Sequence, residues 1–218
     1  MFKNLFGQLT PITKKIIILN VIFYLVSNFL MFPKLYELFS AFYFESPHFK
    51  IYQIITHMFM HAPFGEGVGI THILFNMFTL LSFGPVIERV LGEKKYVILY
   101  FASGIGAYFL HCLWNYIEIT QLGINPQLIY NVPMLGASGA IAGVIAAFAT
   151  LSPDSKISLM FIPIGIKAKY LLTAALVISL YLGVTGSAGG VAHFAHIGGA
   201  LVGFLYMYYW KKNRYRIN

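Results

Sequence analysis

Apolar residues fall in six long runs, at roughly 15–33, 71–91, 95–116, 134–151, 168–185 and 191–210, parted by short polar breaks. Each is near the ~20 residues that a helix needs to cross the hydrocarbon core of a bilayer. The fourth is short and rich in Gly and Ala. The pattern predicts an all-α, polytopic membrane protein with six transmembrane helices in one domain over 15–210. A short cytoplasmic N-terminal segment, 1–14, and a basic cytoplasmic tail, 211–218, flank it. No internal repeat and no low-complexity tract interrupts the pattern.

Composition agrees. The 218 residues are 58% hydrophobic and only 10% charged, where a soluble domain carries about 25% charged residues. The net charge of +8 is not a stripe suited to nucleic acid, because the basic residues cluster at the ends of the apolar runs. With the N-terminus inside, 13 of the 15 basic residues lie on the inner side, and only Lys34 and Lys50 lie outside. This asymmetry predicts both termini in the cytoplasm, with 34–70 and 117–133 outside and bends at 92–95 and 152–167 inside. The connection 34–70 is too aromatic for a plain linker and is expected to lie in the interface as short amphipathic helices. No cleavable signal peptide is expected, since 1–15 is polar and lacks a small-residue cleavage site. A lone cysteine, Cys112, excludes an intramolecular disulfide and a cysteine-based metal cluster.

Polar side chains at membrane depth call for a functional reading. Ser138, in Gly136-Ala137-Ser138-Gly139, is expected a few residues inside the outer start of the fourth span. Backbone N–H groups at a helix start favour a developing negative charge there. On this tetrapeptide alone, a packing serine among small residues is the better reading. His196 changes that, because an imidazole can take the proton of a serine hydroxyl. Gly199 and Gly203 share its helical face and permit close approach to the small residues of the fourth span. His193 is the rival base, and its expected face is Ile197, Ala200 and Phe204. His72 and Asn76 stand at i and i+4 on the second span, at the depth of Ser138, and can donate hydrogen bonds to an oxyanion. Alone, that pair reads as satisfying loop backbone. No Asp or Glu lies in the outer part of spans four to six, so the arrangement is a Ser-His dyad. His57 and His61, with Glu66 nearby, form an incomplete ligand set without a His-Glu-x-x-His motif; tying the outer loop is the expected role. No metal and no other cofactor is expected. Glu88 and Arg89 are expected to form a structural hydrogen-bond network at the inner end of span two.

Together these residues resemble the rhomboid family of intramembrane serine proteases. The matching pieces are Gly136-Ala137-Ser138-Gly139, Ala195-His196-Ile197-Gly198-Gly199 through Gly203, His72-Ile73-Leu74-Phe75-Asn76, Thr56-His57-Met58-Phe59-Met60-His61, and Glu88 through Gly92. They cover about 50–210, and their order is more specific than any one piece. The resemblance implies a six-helix fold with a water-filled cavity opening outward. It implies Ser138 as nucleophile, His196 as base, and His72, Asn76 and the Ser138 N–H as oxyanion donors. It also implies single-pass membrane-protein substrates cut in or near their transmembrane segments.

Two features depart from the family pattern. The loop Pro63–Gly69 is longer than in some bacterial relatives, and Ala142 stands where some place an aromatic on the catalytic imidazole. The short N-terminal segment and the eight residues after Trp210 leave no expected extra cytosolic domain. The short N-terminus, read as uncleaved, fits a bacterial inner membrane. Two other readings compete: a catalytically inactive relative that binds membrane-protein clients, and a small channel with histidines as a proton path. The first would be favoured by loss of Ser138 or His196. The second would be favoured by repeat symmetry or interrupted half-helices.

Overall fold

A computed structural model describes residues 9–65, 69–159, 162–185 and 193–214. In chain order it holds α1 (Pro11–Phe29), α2 (Lys34–Phe39), α3 (Gln53–Thr56), a 3₁₀ turn (His57–Phe59), α4 (Gly69–Leu91) and α5 (Glu93–Thr120). Then come α6 (Pro126–Tyr130), α7 (Ser138–Leu151), β1 (Lys156–Leu159), β2 (Ile162–Lys167), α8 (Ala168–Thr185) and α9 (His193–Arg214). Among the described residues, α1, α4, α5 and α8 are long and apolar enough to cross a membrane, and α7 is a shorter apolar helix. The chain is thus a mostly helical, integral, multi-pass membrane protein.

The apolar runs foresee these helices to within a few residues, with three corrections. The first helix ends at Phe29 rather than near 33, and a turn leads from it to α2. Ser138 is the first residue of α7 rather than a position inside it. The all-α expectation misses β1 and β2, which pair antiparallel where only an inner bend was foreseen, with Lys156 opposite Lys167 and Ile157 opposite Ile166. The β-branched run in Ile157, Ile162, Ile164 and Ile166 favours extended backbone.

α5, α7 and α9 form the centre of the bundle. Their contact is made by small residues. A Cβ added at Gly199 would fall on the Gly139 carbonyl, and one at Gly203 on the Gly143 carbonyl. Apolar side chains gain little by leaving lipid for protein, so this backbone-to-backbone approach supplies the packing that hydrophobicity cannot. Tyr96, Leu99, Tyr100, Val144, Ala147 and Met207 fill the core beside it. α8 is peripheral: Ala168 is its one buried residue.

The C-terminal end of α4 is tied to α1 by Glu88, which is buried. Its carboxylate accepts from Ile12 N–H at 2.9 Å, from Thr13 N–H and Oγ1 at 2.8 Å each, and from Thr10 Oγ1. A negative charge on the free N–H groups of a helix start is favourable in both charge and hydrogen bonding. This is the structural network expected of Glu88.

Candidate active site

The turn that presents Ser138 is held by residues between α2 and α4. Met134 and Ala41 exchange backbone hydrogen bonds at 2.7 and 2.8 Å, and the Gly136 N–H donates to the His57 carbonyl at 2.9 Å. Gly136 has φ +119°, and a Cβ there would stand 3.0 Å from Cε1 and Nε2 of His72. Both the conformation and the space demand glycine. The first intrahelical bond of α7 runs from Ile141 N–H to the Ala137 carbonyl at 2.9 Å. The N–H groups of Ser138, Gly139 and Ala140 therefore precede the helical ladder.

Ser138 Oγ lies 2.8 Å from Nε2 of His196. With Nε2 unprotonated, the hydroxyl donates to it. The glycine contacts between α7 and α9 set this distance, because they hold the two backbones together one and two turns further along. His72 stands on the other side of Ser138. Ala62 N–H donates to its Nδ1 at 3.3 Å, so a neutral ring carries its proton on Nε2. The Cβ position built at Gly136 is 3.0 Å from that Nε2 and 3.7 Å from Ser138 Oγ, so both atoms border one small space. Asn76 is buried and lines the same cavity. Its Nδ2 already donates to the His72 carbonyl at 2.7 Å, leaving one amide proton free.

These four side chains open on a cavity of about 830 Å³ between α4, α5, α7, α8 and α9. His193 lines it too, as does Ala200 of its expected face, so the two histidines share one cavity. Its ring is 6.2 Å from that of His196, at 89°. The reason is geometric: residues three apart share a helix face, and helical side chains lean toward the N-terminus. Any contact of His193 with 185–190 falls largely outside the described residues.

His57 and His61 take structural positions. Nδ1 of His57 is 2.9 Å from the Gln53 carbonyl, and burial pulls its pKa down to about 4. Burial lowers His61 to about 3, with its ring 5.2 Å from that of His72. Among the described residues no group of three His, Cys, Asp or Glu could hold a metal; Glu66 lies outside them.

Four cavity residues of α5 have no assigned role in the sequence reading: Trp114, Asn115 and Glu118, and His111, which by itself gives no usable signal. Their spacing of i, i+3, i+4 and i+7 is a polar helical face in an apolar run, and that periodicity was the available signal.

The Rhomboid domain matches residues 48–213, and the chain belongs to this family. It is 33% identical to Rhomboid protease AarA of Providencia stuartii over 145 residues, 62% of this chain and 49% of the relative. It is 35% identical to Rhomboid protein 1, mitochondrial, of Saccharomyces cerevisiae over 162 residues, 73% of this chain and 42% of the relative. It is 31% identical to the human Presenilin-associated rhomboid-like protein, mitochondrial, over 144 residues, 63% of this chain and 34% of the relative. The matches thus span half or less of these curated relatives. Their names are mixed in activity and largely mitochondrial, so they give the expected bacterial inner membrane no support.

Proposed function

We propose that the chain is an intramembrane serine endopeptidase that hydrolyses peptide bonds in or near the transmembrane segments of membrane-protein substrates. The observation that carries this reading is the 2.8 Å pair of Ser138 Oγ and His196 Nε2, opening on a cavity beside the Nε2–H of His72. Family membership supports it, since a relative of this chain is named a protease.

In this reading six helices cross the bilayer: α1, α4, α5, α7, α8 and α9, with both termini on the basic, cytoplasmic side. The membrane domain then follows the helix ends from 11 to 214 rather than 15–210. Fourteen residues make α7 about 21 Å long, against a hydrocarbon core of about 30 Å. With Leu151 at the inner boundary, Ser138 sits about 9 Å below the outer one. Water reaches it only through the cavity.

Ser138 Oγ attacks the scissile carbonyl as Nε2 of His196 takes its proton. The tetrahedral oxyanion is received by the Ser138 N–H, the Nε2–H of His72 and the free Nδ2–H of Asn76. His196 then gives its proton to the leaving amine, and the C–N bond breaks. A water, deprotonated by the same nitrogen, hydrolyses the acyl-serine and frees the serine. A substrate helix must unwind locally first, because its peptide bonds are sheltered by their own ladder.

The test is incubation of the purified protein with a model single-pass substrate beside Ser138→Ala. Cleavage by the native protein alone is expected. Full-rate cleavage by Ser138→Ala would refute the reading, and specific substrate capture without cleavage by either protein would favour a client-binding relative.

A further inference from the structure

Acidic side chains in this chain are otherwise accounted for where they meet neighbours. Glu88 accepts from four groups of α1, Asp154 meets Lys167 at 3.1 Å and Lys169 at 2.9 Å, and Glu45 accepts from Tyr130 Oη at 3.0 Å. Glu118 is different. It faces the cavity that holds Ser138 and His196, half-buried, and no described lysine or arginine forms an ion pair with it. Trp114, one turn earlier, lines the same cavity. Trp114 in turn stacks on Phe194 at 4.0 Å and 14°, two residues before His196. The acid thus shares its cavity with an aromatic stack that runs to the helix of the base.

Resting on the proposed function, we infer that Glu118 is a cation subsite of the substrate cavity, taking a lysine or arginine side chain of the substrate a few residues from the scissile bond. A carboxylate in a cavity with largely apolar walls focuses its field into that space, because the low-dielectric walls confine the field lines. Its natural complement is a donor cation, which no described residue supplies. Asn115, buried on the same face, adds an amide beside it. Membrane-protein substrates carry such cations at the ends of their apolar segments. Glu118 contacts neither the nucleophile nor the base in this scheme. It decides which sequences settle over them.

Two assays on the full chain test this. The first measures cleavage of single-pass substrates carrying one lysine, walked through the five positions on either side of the cut, by the native protein, Glu118→Gln and Glu118→Lys. A hydrogen-bonded charge pair predicts about tenfold higher kcat/KM for lysine over alanine at one position, through KM. Glu118→Gln should lose that preference and Glu118→Lys should transfer it to a glutamate-bearing substrate. Glu37→Gln, an exposed acid on α2 outside the cavity, should leave the lysine profile as it is. The second assay measures binding of the same labelled peptides to Ser138→Ala and to Ser138→Ala/Glu118→Gln. Glu118-dependent lysine binding without cleavage by the native protein would refute the protease reading and leave the subsite standing. A lysine profile, in cleavage or in binding, that is identical with and without Glu118 would overturn the subsite.

Discussion

The dyad distance depends on two glycines with no chemistry of their own, and Gly199→Ala tests that dependence. The added Cβ would lie 2.7 Å from the carbonyl carbon of Gly139 and 3.3 Å from its Cα, and still closer to the oxygen. All three are backbone atoms of α7, so no side chain can swing away. Carbon atoms in ordinary contact stand about 3.5–4.0 Å apart, so α7 and α9 must part by about 1 Å. The 2.8 Å bond between Ser138 and His196 then lengthens to about 3.8 Å, beyond hydrogen-bond reach. A misplacement of about 1 Å costs on the order of 10² in rate. Gly199→Ala should therefore lower kcat about a hundredfold, with KM little changed, because the substrate cavity is not filled by the methyl. Overpacking should also lower thermal stability, by about 1–3 kcal/mol. The assay is steady-state cleavage of a fluorogenic transmembrane substrate, beside a melting curve. Gly165→Ala is the control, since its Cβ would crowd Lys156, 3.0 Å from that residue's own Cβ, in the β1–β2 pair rather than between α7 and α9. Wild-type kcat in a folded Gly199→Ala protein would show that the glycine contact does not set the catalytic geometry.

His196→Ala should lose cleavage entirely, whereas His193→Ala should keep the chemical step and alter KM, since His193 lines the cavity without reaching Ser138 Oγ; the reverse pattern in kcat would move the base one turn along α9. His72→Ala and Asn76→Ala should each reduce kcat by less than the ~10²–10³ typical of a sole oxyanion donor, and the double variant should exceed either; unchanged kcat in the double variant would remove them from the oxyanion site. Glu88→Gln should lower the melting temperature without changing kcat/KM at a temperature where both proteins are folded, because it weakens the cap on α1 and touches nothing in the cavity. The folded pKa of His57 is lowered from 6.5 to about 4, so the unfolded chain binds its proton first. Its contribution to stability is then complete above about pH 6.5 and is lost as pH falls toward 4. Melting curves across that window should show an acid-side loss that shrinks in His57→Gln, and a pH-independent melting temperature would contradict it.

The parts legible in the sequence were those written in local patterns. Long apolar runs marked the helices to within a few residues. The i+3 and i+7 glycines after His196 marked the face of α9 that meets α7, and Gly199 and Gly203 do lie on the carbonyls of Gly139 and Gly143. What escaped depends on three-dimensional closure. The Met134–Ala41 pairing and the Gly136–His57 bond join segments far apart in the chain, and no local rule joins them. The hairpin at 156–167 hid among apolar residues that a membrane reading treats as ordinary. Glu118 was passed over because acids were sought only on spans four to six, while the cavity takes a wall from α5. The face of Ile197, Ala200 and Phe204 separates His193 from Gly199 but not from the cavity, which His193, His196 and Ala200 all line.

Mass spectrometry of the purified protein after treatment with a serine-directed phosphonate tests the central claim most directly. One adduct is expected, mapped to the peptide containing Ser138, absent in His196→Ala, and formed in parallel with loss of substrate cleavage. Equal labelling with and without His196, or an adduct on another serine accompanied by loss of cleavage, would contradict a Ser138–His196 dyad.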